Sequence, residues 1–374
     1  MTRGVVGSEG DRIEVEASLG SYPVYVGHGV LEGLPELLQR HAPAHRYALI
    51  SDDRVAPLHA DRLSRACQAA GLDVTHLTFP AGEASKTRKS WSILTDEMLD
   101  AGLGRDSCVI GVGGGVTTDL AGFVAATFLR GVPVVQVPTT YLAMIDASVG
   151  GKTGVDLHAG KNLVGAFHSP RVVIVDTEVL STLPREEREQ GLVEAFKHGA
   201  ILDAAYFEDL RERVSGLLAA DPEVAGPAIL RSVEIKADVV GRDEFEGGYR
   251  QILNFGHTIG HAIEAASGFR LGHGSAIALG MLAEAEIGER IGTTETGTRE
   301  RLEAAFSELL PEDPVSVECG DAFRFLETDK KKRGGLARYV LLKRVGEVDP
   351  GDGWTHDVPS TLAREALKHV VPEA

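Results

Sequence analysis

The chain has 374 residues, 43% hydrophobic and 25% charged, with a formal net charge of −17. That length favours two domains over one core, and the acidic excess disfavours nucleic acid or anionic lipid as a partner, leaving any anionic ligand to a local basic cluster. No apolar run approaches the ~20 residues of a spanning helix, so no membrane partner is expected. The first residues, MTRGVVGSEGDRIEVE, lack an apolar core behind a basic patch, so a cytoplasmic location is expected. The cysteines, Cys67, Cys108 and Cys319, are far apart and odd in number, and read as reduced thiols without a role.

From about residue 22 the runs RYALISD, DVTHLTFP, SCVIGVGGG and PVVQVPTT predict strands, with DRLSRACQAAG and SWSILTDEMLDAG as helices between them. Strand and helix alternating with short loops predict a Rossmann-like parallel sheet wound with helices. After residue 184 the pattern turns to long helical stretches such as EEREQGLVEAFKHGAIL and SAIALGMLAEAEIGERIG. Residues 311–317 read as an irregular connection, and LARYVLLKRVGEV predicts a late hairpin. The expected architecture is therefore an α/β domain over residues 1–184 and a mainly α-helical domain over residues 185–374.

Three consecutive glycines, Gly113, Gly114 and Gly115, stand between an apolar strand and a helix. Glycine there lets backbone approach a diphosphate and presents N–H groups at a helix N-terminus, although a tight turn that binds nothing has the same sequence. Farther on, Asp146, Lys152, Lys161 and Asn162 lie among glycines, where small neighbours would let ammonium groups converge on one oxyanion; the alternative is a solvated loop with surface lysines. His257, His261 and His273 crowd one short stretch, the first two four apart on one helix face. A zinc-type ion wants such nitrogens with a carboxylate, and Glu194, on an apolar helix face where an unpaired charge is costly, is the best candidate. Lys236, Arg250 and Asn254 precede the histidines and would serve a polyhydroxylated anion, or Lys236 and Arg250 would pair with Asp243, Glu244 and Glu246 at the surface.

These residues sit in an ordered series of blocks: PAGEASKT, GVGGGVTTDLAGFVAATFLRG, PTTYLAMIDASVGGKTGVDLHAGKNLVGAFHSP, DTEVLSTLPREE, GLVEAFKHG, RDEFEGGYRQILNFGHTIGHAIE, HGSAIALGM and DKKKRGG. Over residues 22–345 the chain resembles the 3-dehydroquinate synthase family of sugar phosphate cyclases. The resemblance implies NAD- and metal-dependent cyclisation of 3-deoxy-D-arabino-heptulosonate 7-phosphate to 3-dehydroquinate with release of phosphate, a step of the shikimate pathway. It implies Glu194, His257 and His273 as ligands of zinc or cobalt, with His261 on the phosphate side. It places Lys152, Asn162, Arg130 and Lys331 (Lys330 if the register slips) at the phosphate, and Asp146, Lys197, Lys236, Arg250 and Asn254 at the carboxylate and hydroxyls. NAD would lie on Asp52, Glu83, Lys86, Gly114, Gly115, Val116, Asp119, Thr139, Thr140, Lys161 and Thr182. A homodimer is implied, because the family's arginine at the Arg130 position reaches across an interface.

The chain departs from the family pattern at Arg54, at Thr117 and Thr118, and at Ser275, where asparagine, Val-Gly and glutamate are usual. Rival readings within and outside the family follow. A cyclase of secondary metabolism would act on a related substrate, but those without a substrate carboxylate tend to lose the GGKTG and Arg-x-x-Leu-Asn runs kept here at residues 150–154 and 250–254. An aminodehydroquinate synthase would keep both. A metal-dependent polyol dehydrogenase would consume NAD and need fewer phosphate-side lysines, and a non-catalytic paralogue would not need Glu194, His257, His273 and Lys152 together.

Overall fold

The structure, a computed structural model, describes residues 4–6, 10–18, 20–158, 160–311, 315–332 and 337–371. The chain forms two compact units, one of Met1–Pro184 with Ala220–Glu244, the other of Arg185–Ala219 with Phe245–Ala374.

The first unit is built on one eight-stranded sheet: β1 (Gly4–Val6), β2 (Gly10–Val15), β3 (Tyr22–Gly27), β4 (Tyr47–Asp52), β5 (Val74–Phe79), β6 (Cys108–Gly113), β7 (Val134–Pro138) and, after a hairpin of β8 (Lys152–Leu157) with β9 (Gly160–Phe167), β10 (Val172–Asp176). Its order is β1-β2-β3-β10-β7-β6-β4-β5. The six strands from β3 to β5 in that order are parallel, and β1 and β2 add an antiparallel edge. Strands β6, β7 and β10 (CVIGVG, VVQVP, VVIVD) are buried at every residue, as sheets covered on both faces require. Helices α1 (Leu34–His41), α2 (Asp61–Ala69), α3 (Arg88–Asp100) and α4 (Gly115–Thr127) supply the cover. Thr87 caps α3 by accepting the Ser90 N–H at 3.2 Å.

The second unit is mainly helical: α5 (Arg185–Leu202), α6 (Ala204–Leu218), then, after α7 (Pro222–Arg242), α8 (His257–Ala266), α9 (His273–Ile291), α10 (Thr298–Phe306), α11 (Cys319–Lys332) and α12 (Ser360–Val370). Helix α5 is buried along the whole of residues 191–201, so it is the central helix. Its Phe196 packs edge-on against Phe207 and Phe306, with centroids 5.4 Å and 6.0 Å away. The late hairpin is present as short antiparallel strands, Leu342–Arg344 with Glu347–Val348.

Helix α7 departs from the expected division at residue 184. It follows two helices of the second unit yet belongs to the first, packing on β2, β3 and the turn Ala143–Ala147. Its apolar face (Ala225, Ala228, Ile229, Val233, Val239, Val240) is legible in the sequence, but helical periodicity says which face is buried and not against which layer.

Candidate active site

In an open parallel sheet, ligands collect at the carboxyl ends of the strands where the order reverses. Here β5 lies on one side of β4 and β6 on the other, so the reversal falls between β4 and β6. Asp52 ends β4, Gly113 ends β6, and α4 begins two residues later at Gly115. A Cβ on Gly113 would lie 2.6 Å from Thr117 Cβ, and one on Gly114 3.1 Å from Thr140 Cγ2. Glycine thus lets the strand enter the helix directly, and the first N–H groups of α4 have no acceptor within the helix, the arrangement that suits a diphosphate.

Asp52 Oδ1 accepts the backbone N–H groups of Arg54 (2.9 Å) and Val55 (2.8 Å), and Oδ2 the Thr117 hydroxyl (3.4 Å). The departure at Thr117 therefore ties this carboxylate to α4, and Arg54 contributes through its main chain. Thr139 and Thr140 follow β7, and Thr182 closes the turn Thr177–Thr182 after β10, with its hydroxyl 2.7 Å from His59 Nε2. Lys86, 4% exposed, sets Nζ 2.6 Å from Asp119 Oδ2 and 4.0 Å from Glu83 Oε1, which Lys161 also reaches at 3.5 Å. Burial opposes the Lys86 charge, but Asp119 and Glu83 outweigh it and raise its pKa; burial also raises the Asp119 carboxyl, an effect Lys86 only partly offsets. The residues expected to hold a nucleotide thus gather at the carboxyl ends of β4, β5, β6, β7 and β10, with Asp119 on α4 and Lys161 on β9.

The glycine-rich stretch after β7 is an antiparallel hairpin. Gly150 (φ 99°) and Gly151 (φ 68°) turn the chain so that exposed Lys152 opens β8, paired with Phe167 of β9. Asn162 (φ 53°) lies on β9 and gives its backbone N–H to Asp156 Oδ1 at 2.7 Å. Arg130, exposed, has φ 76° and follows Leu129 at φ 49°, two non-glycine residues in the left-handed region. Such conformations cost of order 1–3 kcal/mol each and cluster at functional sites. Lys236 of α7 is 4% exposed and donates to the Asp146 carbonyl and, at 2.6 Å, to Asp146 Oδ1, so it sits in the interior and not at the surface position considered above.

In the second unit, Glu194 of α5 (1% exposed) meets His257, the first residue of α8, and His273, the first of α9. Each imidazole Nε2 is 3.7 Å from Glu194 Oε1, and one ligand atom from each of the three residues lies within 4.8 Å of the others. His257 Nδ1 is 3.2 Å from the Phe255 carbonyl, which only accepts, so Nδ1 carries the proton and Nε2 is left as a ligand atom. His273 Nδ1 faces Glu264 Oε2 at 3.5 Å. Metal-ligating histidines are commonly held this way at their second nitrogen. His261 is exposed on α8, its ring centroid 5.2 Å from that of His257 and 5.9 Å from that of His273; with Glu264 and His273 it forms a second, overlapping group.

Burial works against the Glu194 charge, but the Lys197 ammonium paired with it and the two imidazoles hold its pKa well below the usual range. Desolvation, helped by Lys197, keeps His257 neutral by driving its pKa well down; at His273, 29% exposed at its side chain, desolvation pulls the same way but Glu194 and Glu264 outweigh it and push the pKa up to about 9, so a cation binding there would displace a proton. Neither Glu194 oxygen accepts a hydrogen bond of good geometry, so a buried carboxylate and two oriented imidazoles are left for a cation of the zinc or cobalt type.

Arg250, 2% exposed, sits in the turn Tyr249–Asn254, which is also not a surface position, and Asn254 Nδ2 donates to Glu246 Oε1 at 2.9 Å. Lys331 is the next-to-last residue of α11, and its side chain, like that of Lys330, lies outside the described residues. Gln190, one turn before Glu194, accepts the Ser275 N–H at 2.9 Å and donates to the Ser275 hydroxyl at 3.0 Å, so the departure at Ser275 forms a two-point tie between α5 and α9. Glu284 of α9, fully buried, accepts the Gly256 N–H at 2.8 Å. Burial pushes its carboxyl well above the usual range against the pull of the Gly256, Ile259 and Thr258 amides.

Sequence reasoning missed Glu246, Glu264, Gln190 and Glu284. Glu264 was within reach, since it falls three residues after His261 and seven after His257 on the same helix face. Glu284 carried the signal that singled out Glu194, an acid on an apolar helix face. Glu246 stands in an acidic run where nothing distinguishes one carboxylate from the next.

Comparison with known proteins bears on this geometry. A family model described as 3-dehydroquinate synthase N-terminal matches residues 76–190, and one described as 3-dehydroquinate synthase C-terminal matches residues 191–332. The chain is 47% identical over 334 residues to 3-dehydroquinate synthase of Symbiobacterium thermophilum, covering 87% of this chain and 92% of that one. Among solved structures, 2-deoxy-scyllo-inosose synthase complexed with carbaglucose-6-phosphate, NAD+ and Co2+ superposes with a TM-score of 0.88 at 28% identity, over 96% of this chain and 99% of that one. The 2-epi-5-epi-valiolone synthase of Streptomyces hygroscopicus subsp. jinggangensis, with NAD+ and Zn2+ bound, gives 0.84 at 27%, over 95% and 97%.

Proposed function

Because the chain belongs to the 3-dehydroquinate synthase family, we propose that it converts 3-deoxy-D-arabino-heptulosonate 7-phosphate to 3-dehydroquinate and phosphate, a phosphate-eliminating lyase reaction. The observation that carries this reading is the Glu194, His257 and His273 group with its three ligand atoms within 4.8 Å. Those residues would hold a zinc or cobalt ion, and the glycine turn with Asp52, Glu83, Lys86, Asp119, Thr139, Thr140, Lys161 and Thr182 would hold NAD. When bound, the metal supplies Lewis acidity and NAD a reversible hydride acceptor, so that NAD is regenerated within each turnover.

The chain's own residues supply position and field. Lys236 is buried and pinned by Asp146, so its ammonium is aimed before the substrate arrives. Lys197 is fixed beside Glu194 in the same way. Arg250, always charged and forked, suits the substrate carboxylate, with Asn254, held by Glu246, serving a hydroxyl. Lys152, Asn162, Arg130 and Lys331 would take the phosphate, with His261 on the same side. The departing phosphate can accept the proton lost in elimination, so no separate base is assigned. The buried Arg250 favours a carboxylated substrate over one like the carbaglucose-6-phosphate bound by 2-deoxy-scyllo-inosose synthase. We read the protein as a cytosolic homodimer; Cys67 and Cys108, free and buried, suit a reducing compartment, and exposed Arg130 suits a residue offered to a second subunit.

Phosphate release from the heptulosonate substrate, followed with and without chelator, tests this. Release should require the metal, show no net change at the nicotinamide absorbance band, and fall by at least about a thousandfold in His273→Ala. Unaltered turnover in that variant would remove the metal assignment, and stoichiometric NADH would mark a dehydrogenase.

A further inference from the structure

Helix α8 starts at His257 without a cap of its own. Its N-cap is Gly256, at φ 80° and with no side chain to accept the orphan N–H groups of the first turn. A capping serine or aspartate is sterically barred there, because a Cβ on Gly256 would lie 2.8 Å from both the Ile277 carbonyl oxygen and the Met281 N of α9 and would overlap Met281 Cγ. A Cβ on Gly260 would likewise come within 2.9 Å of the Ala276 carbonyl, so α8 and α9 meet backbone to backbone. The cap therefore has to arrive from α9, and Glu284 provides it: its Oε2 accepts the Gly256 N–H at 2.8 Å, and the Thr258 and Ile259 amides also point at this carboxylate. Among the described residues no basic side chain pairs with it, and the Gly256 N–H is the donor that meets it with good hydrogen-bond geometry, at Oε2.

The Gly256 N–H and the Phe255 carbonyl belong to one planar peptide unit. Glu284 grips the N–H side of that plane, while the carbonyl side accepts the Nδ1–H of His257 at 3.2 Å. The path from carboxylate through peptide to imidazole is continuous, and its acceptor end sets which way Nε2 points. Since α9 also begins with His273, one helix carries one imidazole directly and fixes the other at a distance.

We propose that Glu284 is a positioning residue of the metal centre, orienting the His257 imidazole through the Phe255–Gly256 peptide and so setting its spacing from His273. The proposal rests on the cyclase reading above. It predicts that metal affinity, and not only folding, depends on a side chain that touches neither metal nor substrate.

The test measures Zn2+ affinity of the full chain by competition with a chromophoric chelator and records the visible spectrum of the Co2+ form, with NAD+ affinity as a control. Glu284→Ala should bind Zn2+ about tenfold or more weakly and shift the Co2+ bands, with NAD+ binding unchanged; Glu284→Gln, which keeps an acceptor at the same reach, should recover most of the affinity. Should Glu284→Ala fail to fold, Glu284→Asp, with its acceptor drawn back by one methylene, takes its place and should show the same weakening. Wild-type Zn2+ affinity and Co2+ spectrum in the folded alanine variant, or in the aspartate variant where it stands in, would overturn the proposal, as would failure of both to fold beside a native Glu284→Gln. Failure of the unsubstituted protein to bind Zn2+ would instead remove the cyclase reading.

Discussion

Removing the Asp146 carboxylate would leave the Lys236 ammonium, 5% exposed at its side chain, inside the first unit with one fewer acceptor. Breaking a buried pair at one end costs more than neutralising both ends, because the surviving charge stays desolvated. Since Asp146 itself is 30% exposed, the expected loss for Asp146→Ala is about 2 kcal/mol, with a smaller loss for Lys236→Met; urea midpoints of the two variants check the order. Cysteine chemistry gives a second residue-scale expectation. Burial pushes the Cys67 thiol up to about 11 and the Cys108 thiol to about 12. Neither forms thiolate at pH 8, so iodoacetamide should alkylate them only after unfolding, as peptide mapping would show. The sign for stability follows: in the unfolded chain these thiols ionise from about pH 8.5, so their contribution is full below that value and is lost as pH rises beyond it. At this scale the sequence disclosed groups whose chemistry is unusual for their surroundings, such as Glu194 on an apolar face. It did not disclose Gln190 or Glu284, whose importance comes from a partner eighty-five or twenty-eight residues away.

The meeting of α8 and α9 through Gly256, Gly260 and Gly280 decides what an alanine there would do. A methyl on Gly280 would overlap the Gly256 carbonyl and sit 2.7 Å from the Gly260 N. Alanine gains about 1 kcal/mol of helix propensity over glycine, but forced overpacking costs typically 1–3 kcal/mol or more and here meets backbone that cannot rotate away. Gly280→Ala should therefore lower Tm and weaken Zn2+ binding together, read by calorimetry and chelator competition. Among the elements, β4, β6 and β7 were legible because strands buried on both faces are largely continuous apolar runs, and β5, at the sheet's end, because its β-branched and aromatic residues are spaced along a short run bounded by turn residues. The β8–β9 hairpin was not, since its glycines and lysines read as loop and its pairing is set by turn geometry at Gly150 and Gly151.

For the whole molecule, composition and the change of pattern at residue 185 gave two parts, and the ordered motif blocks gave the family. Neither gave the path of the chain, which enters the second unit, returns to the first for residues 220–244, and leaves again. Cutting after Pro184 would strip α7 from the flank of β2 and β3 and leave Asp146 without Lys236. A fragment of residues 1–184 should accordingly bind the hydrophobic dye ANS and lack a cooperative thermal transition, where the full chain shows one.

The same weave has a consequence during synthesis. A ribosome releases residues 185–219 before it releases α7, so the first unit cannot seal its flank until two helices of the other unit have already emerged. The nascent protein thus cannot mature one half at a time, and whatever guards its unfinished sheet from aggregation must act until residue 244 has cleared the exit tunnel.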